Sequence, residues 1–187
     1  MVRLLTGFII AIFLLSPAGA GEIADKAAQA EALAGDGDFA GAMTALDQTA
    51  EQLWDRSPLV FRRALWVAEP PNGFGAYNPR ENNQYAAGDE MIIYAEPMGF
   101  GWRKSGDVWR TDLVSDLTVK DAEGEVLYEQ KNFNKLEIGS RVRNREFMAT
   151  FTYTLTGIPK GEYVLETTLR DAVTGKSGTL ALPFVIR

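Results

Sequence analysis

From residue 59 onward the chain reads as short runs in which apolar and polar positions alternate, broken by turn residues. A period of two puts successive side chains on opposite faces of a strand. The pattern is clearest at Phe147, Ala149, Phe151, Tyr153 and Leu155, whose other face reads Met148, Thr150, Thr152 and Thr154. It returns at Leu180, Leu182, Phe184 and Ile186. Strands are predicted over 59–69, 90–96, 112–121, 125–131, 146–155, 162–171 and 179–186. Asp121-Ala122-Glu123-Gly124 and Thr174-Gly175-Lys176 have the composition of hairpin turns, with glycine where positive φ is needed. About seven strands without intervening helices predict a mainly β fold, an antiparallel sandwich over 58–187.

Ahead of that region the period lengthens. Phe39, Ala42, Met43, Leu46, Ala50, Leu53 and Trp54 recur at helical spacing, and a shorter alanine-rich helix carries Ile23, Ala27, Ala30 and Leu33. Gly35-Asp36-Gly37-Asp38 separates the two, with Asp38 placed to cap the second, and Ser57-Pro58 ends it. A helical hairpin is expected over 21–57. The turn from Ala34 to Ala42 resembles that of a tetratricopeptide-type hairpin. One such unit is present where a solenoid needs about three.

The first twenty residues have a third texture. Arg3 precedes an uncharged run from Leu4 to Leu15, then Ser16-Pro17 and the small residues Ala18-Gly19-Ala20. This is the layout of a secretory signal peptide, with cleavage expected after Ala20. A run of about a dozen apolar residues is shorter than the ~20 that span a bilayer. A periplasmic or secreted protein is expected, with no transmembrane segment after cleavage. No Cys follows Ala20, so no lipoprotein anchor is expected.

A longer stretch of the C-terminal region carries a resemblance. Leu155-Thr156-Gly157-Ile158-Pro159-Lys160-Gly161-Glu162-Tyr163-Val164-Leu165 resembles the E–F corner of immunoglobulin-like and fibronectin-type domains, where a Pro/Gly turn leads into a Tyr. The run Leu169 to Lys176 and the closing Phe184-Val185-Ile186 resemble the F–G hairpin of the bacterial versions. The resemblance is strongest over 112–187, and the layout is similar to that of exported bacterial proteins with such a sandwich. It implies architecture and brings no catalytic residues.

Composition narrows the chemistry. The 187-residue chain has no His and no Cys, which removes the commonest general base, thiol catalysis and most transition-metal ligand sets. A net charge of −6 argues against nucleic acid as a partner. There is no Ser-x-x-Lys, no phosphate-cradling glycine loop and no G-x-S-x-G elbow. Neither a cofactor nor enzymatic activity is expected. A carboxylate-only hydrolase is the third reading, with Glu69, Asp89, Glu96 and Asp107 as the available acids.

Three features compete as binding sites. The stretch 70–110 holds Phe74, Tyr77, Tyr85, Phe100, Trp102 and Trp109 among Gly, Asn and Pro, with Arg80, Arg103 and Arg110 interleaved. Phe74, Tyr77, Phe100, Trp102 and Arg103 would form a ligand surface, the rings stacking and the guanidinium bonding at an edge. The same rings would equally close the end of the sandwich, and Tyr94, inside a strand, is assigned to the core. Asp36, Asp38, Gly41 and Asp47 fall at positions of a calcium loop, but Ala40 stands where an oxygen ligand belongs, so helix capping is the better reading and no metal is expected. Arg141, Arg143 and Arg145 alternate, which suits a basic strand edge better than an anion site.

The leading expectation is a non-enzymatic binding or assembly module that engages an envelope protein or an extended peptide. A glycan-binding module built on the aromatic loop is the alternative.

Overall fold

The computed structural model describes residues 21–187, and the expected signal peptide 1–20 lies outside the described residues. The described chain parts into two compact units between Leu53 and Trp54.

The first unit contains α1 (Glu22–Gly35) and most of α2 (Phe39–Arg56). Its turn follows from the three residues between the helices, Asp36, Gly37 and Asp38. Asp38 N donates to Leu33 O at 2.9 Å and Gly37 N to Ala34 O at 3.1 Å, with Gly37 at φ +83°. That bond pair satisfies the last carbonyls of α1 and requires a left-handed residue, hence the glycine. Asp38 then starts α2, its Oδ1 accepting Gly41 N at 2.9 Å. The capping role assigned to Asp38 is the one it has. Ala30 packs against Ala42 and Ala45, with Leu33 and Ala34 beside them, so small side chains let the helices approach closely.

The second unit is a sandwich of two sheets. The smaller has β1 (Val60–Val67), β3 (Glu90–Met98) and β7 (Ala149–Thr154) in the order β1-β3-β7, all antiparallel. The larger runs β2 (Gln84–Tyr85), β9 (Ser177–Ile186), β8 (Gly161–Asp171) and β5 (Val108–Asp121). At β5 it continues to β6 (Val126–Ser140), and the short β4 (Arg103–Ser105) also pairs there. β2 lies parallel to β9, so the chain crosses from one sheet to the other between β1 and β3. This strand order is that of an immunoglobulin-like sandwich. At its corner the Tyr163 hydroxyl donates to Pro159 O at 2.8 Å, closing the E–F turn as the sequence implied.

Each inner face is the apolar half of an alternating strand. Met91, Ile93, Ala95, Ala149, Phe151 and Tyr153 of the smaller sheet meet Leu113, Leu117, Val119, Leu165, Leu169 and Phe184 of the larger. Two buried hydroxyls, Tyr153 and Thr167, satisfy each other at 2.7 Å across this core. Burial without a charged partner raises the Tyr153 pKa and keeps the phenol neutral.

The strand prediction differs from the structure mainly in the larger sheet. β2 and β4 are too short to show a period, and β4 is all polar. β6 continues nine residues past its expected end, because a bulge interrupts its alternation. Ser115 opposes Asn134 and Leu117 opposes Gln130, so three β6 residues loop out opposite Asp116, with Asn132 at φ +54°.

Asp116 holds that bulge. It is buried; its Oδ1 accepts Asn132 N at 2.8 Å, and Arg170 reaches both oxygens at 2.9 and 3.0 Å. Arg170 also donates to Asn132 Oδ1 at 2.7 Å. The Arg170 guanidinium holds the Asp116 carboxyl below the usual carboxylate range, against the effect of burial. A depressed pKa means that the stabilisation is present above about pH 4, the unfolded value, and is lost as pH falls through the lower folded value. Asp116→Asn is expected to lower unfolding free energy at pH 7 by about 2 kcal/mol, the size of hydrogen bonds to a charged group. In urea titrations the gap between variant and wild type should close progressively below about pH 4. A gap independent of pH would contradict this account.

Candidate functional site

The aromatic stretch 70–110 does not form one surface. Phe100 is 1% exposed and Trp102 9% exposed, and both belong to the sandwich core. Phe100 meets Trp54 edge-on at 5.1 Å between centroids, and Trp54 Nε1 donates to Phe100 O at 2.7 Å. Phe147 and Trp102 complete the packing around Phe100 at 5.3 and 5.5 Å. The chain enters this packing at Gly99 (φ +82°), where a Cβ would lie 2.2 Å from Pro58 O. Two rings without a free face cannot stack on a sugar, so the expected role of Phe100 and Trp102 is corrected to closure of the sandwich end.

The other predicted residues are dispersed. Tyr77 stacks on Tyr94 at 4.2 Å over the outer face of the smaller sheet, beside Val67 and Ile92. Tyr94, placed in the core by its strand position, donates to Glu96 Oε1 at 2.7 Å and accepts from Gly75 N at 2.8 Å. Phe74 is half-buried in the loop before β2, and Arg103 is exposed on β4. The carboxylates considered for hydrolysis have separate structural partners: Glu96 holds Tyr94, Glu69 accepts from Asn78, and Asp89 caps Ala86 N. Asp107 sits exposed in the turn between β4 and β5. Arg143 lies outside any strand, ion-paired with Asp55 and 5.8 Å from the Trp109 ring, which corrects the reading of Arg141, Arg143 and Arg145 as a strand edge.

A concavity lies elsewhere, where the sheets part between β6 and β7. It encloses about 770 Å³, within the range of ligand clefts. Its floor is Leu117 and Val119 of β5 with Phe133 of β6, its walls are Leu127, Tyr128 and Gln130 on one side and Thr152 to Leu155 on the other, and Ile158 and Pro159 close one end. Tyr128 and Gln130 oppose Val119 and Leu117 in register, so they face the smaller sheet. The Tyr128 hydroxyl donates to Gln130 Oε1 at 2.7 Å, and Phe133 packs on Tyr153 at 5.1 Å.

This groove exists because three strands face four long ones. On the side of β1, Trp66 Nε1 donates to Pro183 O of β9 at 3.0 Å and the sandwich is closed. On the other side, among the described residues, no strand pairs with the second edge of β7 or of β6. β6 therefore overhangs, and Val126, Leu127 and Tyr128 remain 56%, 52% and 48% exposed. The far half of the same strand is guarded by the bulge and by ion pairs of Lys131 with Glu129 and Lys135 with Glu137. Charges and bulges are how proteins prevent unwanted pairing at an edge. The near half has its own register shift at Leu127, between the pairs Lys120–Val126 and Val119–Tyr128, but carries no charge from 126 to 128. Three consecutive apolar residues at 126–128 break the strand alternation, and that was the signal in the sequence for this site.

No family model matches the chain, and no curated protein matches it. Among solved structures it is similar to the PKD domain of an M14-like peptidase from a Thermoplasmatales archaeon, at 11% identity over 68% of this chain and 96% of that one, TM-score 0.34. A conjugative transposon lipoprotein from Bacteroides eggerthii is similar at 12% identity over 68% and 96%, TM-score 0.34. A cycloisomaltooligosaccharide glucanotransferase from a Paenibacillus species is similar at 12% identity, over 68% of this chain and 14% of that enzyme, TM-score 0.37. Likenesses of this size carry no functional inference. Among the described residues no helix is long and apolar enough to cross a membrane.

Phe100→Ala is expected to lower stability by about 3–5 kcal/mol, the cost of emptying a core aromatic site. Urea denaturation measures it. A loss below about 1 kcal/mol would show that the ring is not part of the core.

Proposed function

We propose that the protein is a non-catalytic binding module whose β6–β7 groove takes an extended segment of another polypeptide. The carrying observation is the uncharged, apolar end of β6, with Leu127 and Tyr128 exposed and lining the groove beside the open edge of β7. A segment laid along β7 would become the fourth strand of the smaller sheet. Its backbone would bond to that edge, while alternate side chains would enter the groove above Phe133 and Tyr153. Apolar residues at every second position suit the lining, and a polar outer face suits the threonines of β7. Such a partner, in the periplasm or outside the cell, would be an envelope protein with an extended terminus or loop.

The test uses a fluorescein-labelled peptide of alternating valine and threonine, beside a control with proline at its centre, which cannot donate to the edge. The alternating peptide should bind at least tenfold more tightly, and amide exchange over 149–154 should slow on binding. Leu127→Asp/Tyr128→Asp should weaken binding at least tenfold with the fold retained. Equal affinity for both peptides, or unchanged exchange in β7, would overturn the proposal.

A further inference from the structure

A second apolar surface lies on α2, independent of the groove. Phe39, Met43, Leu46 and Leu53 are 69%, 59%, 46% and 51% exposed, with the half-buried Ala50 between the last two. Positions 39, 43, 46, 50 and 53 advance by four, three, four and three. That is the a/d spacing of a coiled-coil seam held for two heptads. The hairpin's own contact uses another side of the helix, through Ala42 and Ala45. Thus α2 presents small residues to α1 and large apolar residues outward. The sequence periodicity had merged both sides into one stripe.

Charge decides what fits there. Residues 21–53 hold seven carboxylates against the single Lys26, a net charge of −6, whereas 54–187 sum to −1. Almost all of the protein's excess negative charge therefore belongs to the helical hairpin. A second copy would bring −6 against −6, and an anionic lipid surface would be repelled in the same way. The negative field of the whole hairpin, to which α1 and the turn contribute most of the carboxylates, is matched by an apolar seam on a helix of the opposite sign. We infer that the outward face of α2 is a docking site for a basic amphipathic helix of a partner protein, seated along Phe39, Met43, Leu46 and Leu53.

The probe is a labelled three-heptad peptide with leucine at the a and d positions and lysine at e and g. Its twin carries glutamate at e and g. Fluorescence anisotropy with the full chain should show at least tenfold tighter binding of the basic peptide, with the preference shrinking at about 1 M salt. Met43→Ser/Leu46→Ser should weaken that binding at least tenfold while the melting temperature stays close to wild type, since both side chains are exposed. Leu127→Asp/Tyr128→Asp should leave it unchanged, which separates this site from the groove. The inference is overturned if the two peptides bind alike or not at all, or if the serine variant binds as the wild type does. It is equally overturned if sedimentation shows a dimer that the serine variant abolishes, because the occupant is then a second copy.

Discussion

The smaller sheet runs out of strands before the larger one does. Apolar side chains on β5, β6, β8 and β9 need cover from the opposite layer, and three strands supply it only as far as β7. On the β1 side the shortfall is made good by the crossing of β2 and by Trp66 reaching Pro183. On the β7 side nothing described makes it good, and the inner face of β6 stands over a groove. Hydrophobic burial thus accounts for both the closed and the open flank of the sandwich.

Buried polar groups set the register within that arrangement. Asp116 accepts the backbone of the β6 bulge and is itself held by Arg170, so the bulge has one place to form. Asp171 acts similarly at the other end: it is buried, and it accepts Gly101 N at 2.7 Å, Val173 N at 2.9 Å and the Thr174 hydroxyl. The chain after β3 is thereby tied to the β8–β9 turn, next to where Phe100 and Trp54 pack. Carboxylates in such positions are costly unless every oxygen is satisfied, and both have multiple partners here. Their bonds fix the bulge of β6 and the β8–β9 turn.

The two proposed surfaces differ in the physics that would recognise a partner. The groove offers backbone edges and apolar pockets, which select an extended chain with a two-residue period. The α2 face offers a seam with a strong field, which selects a helix with a 3.5-residue period and positive flanks. A protein that binds through both would assemble components, with the acidic hairpin contributing association rate and the sandwich contributing register.

Much of this is legible in the sequence. The two-residue period marked the strands, Asp38 and Gly37 announced the hairpin turn, and Tyr163 after Pro159 announced the corner, because each is set by neighbours within a few positions. Absence of His and Cys excluded whole classes of chemistry by composition alone. What only the tertiary structure decided was burial. Phe100 and Trp102 look like display residues in a glycine-rich loop, yet they are core, since their partner Trp54 lies 46 residues away from Phe100 in the chain. Leu127, Tyr128 and Met43 look like core, yet they are exposed, since the layer that would cover them is absent from the fold as described. Periodicity is a local property and states which face of an element is apolar. Whether that face is covered depends on pairings between distant segments, and no local pattern carries that information.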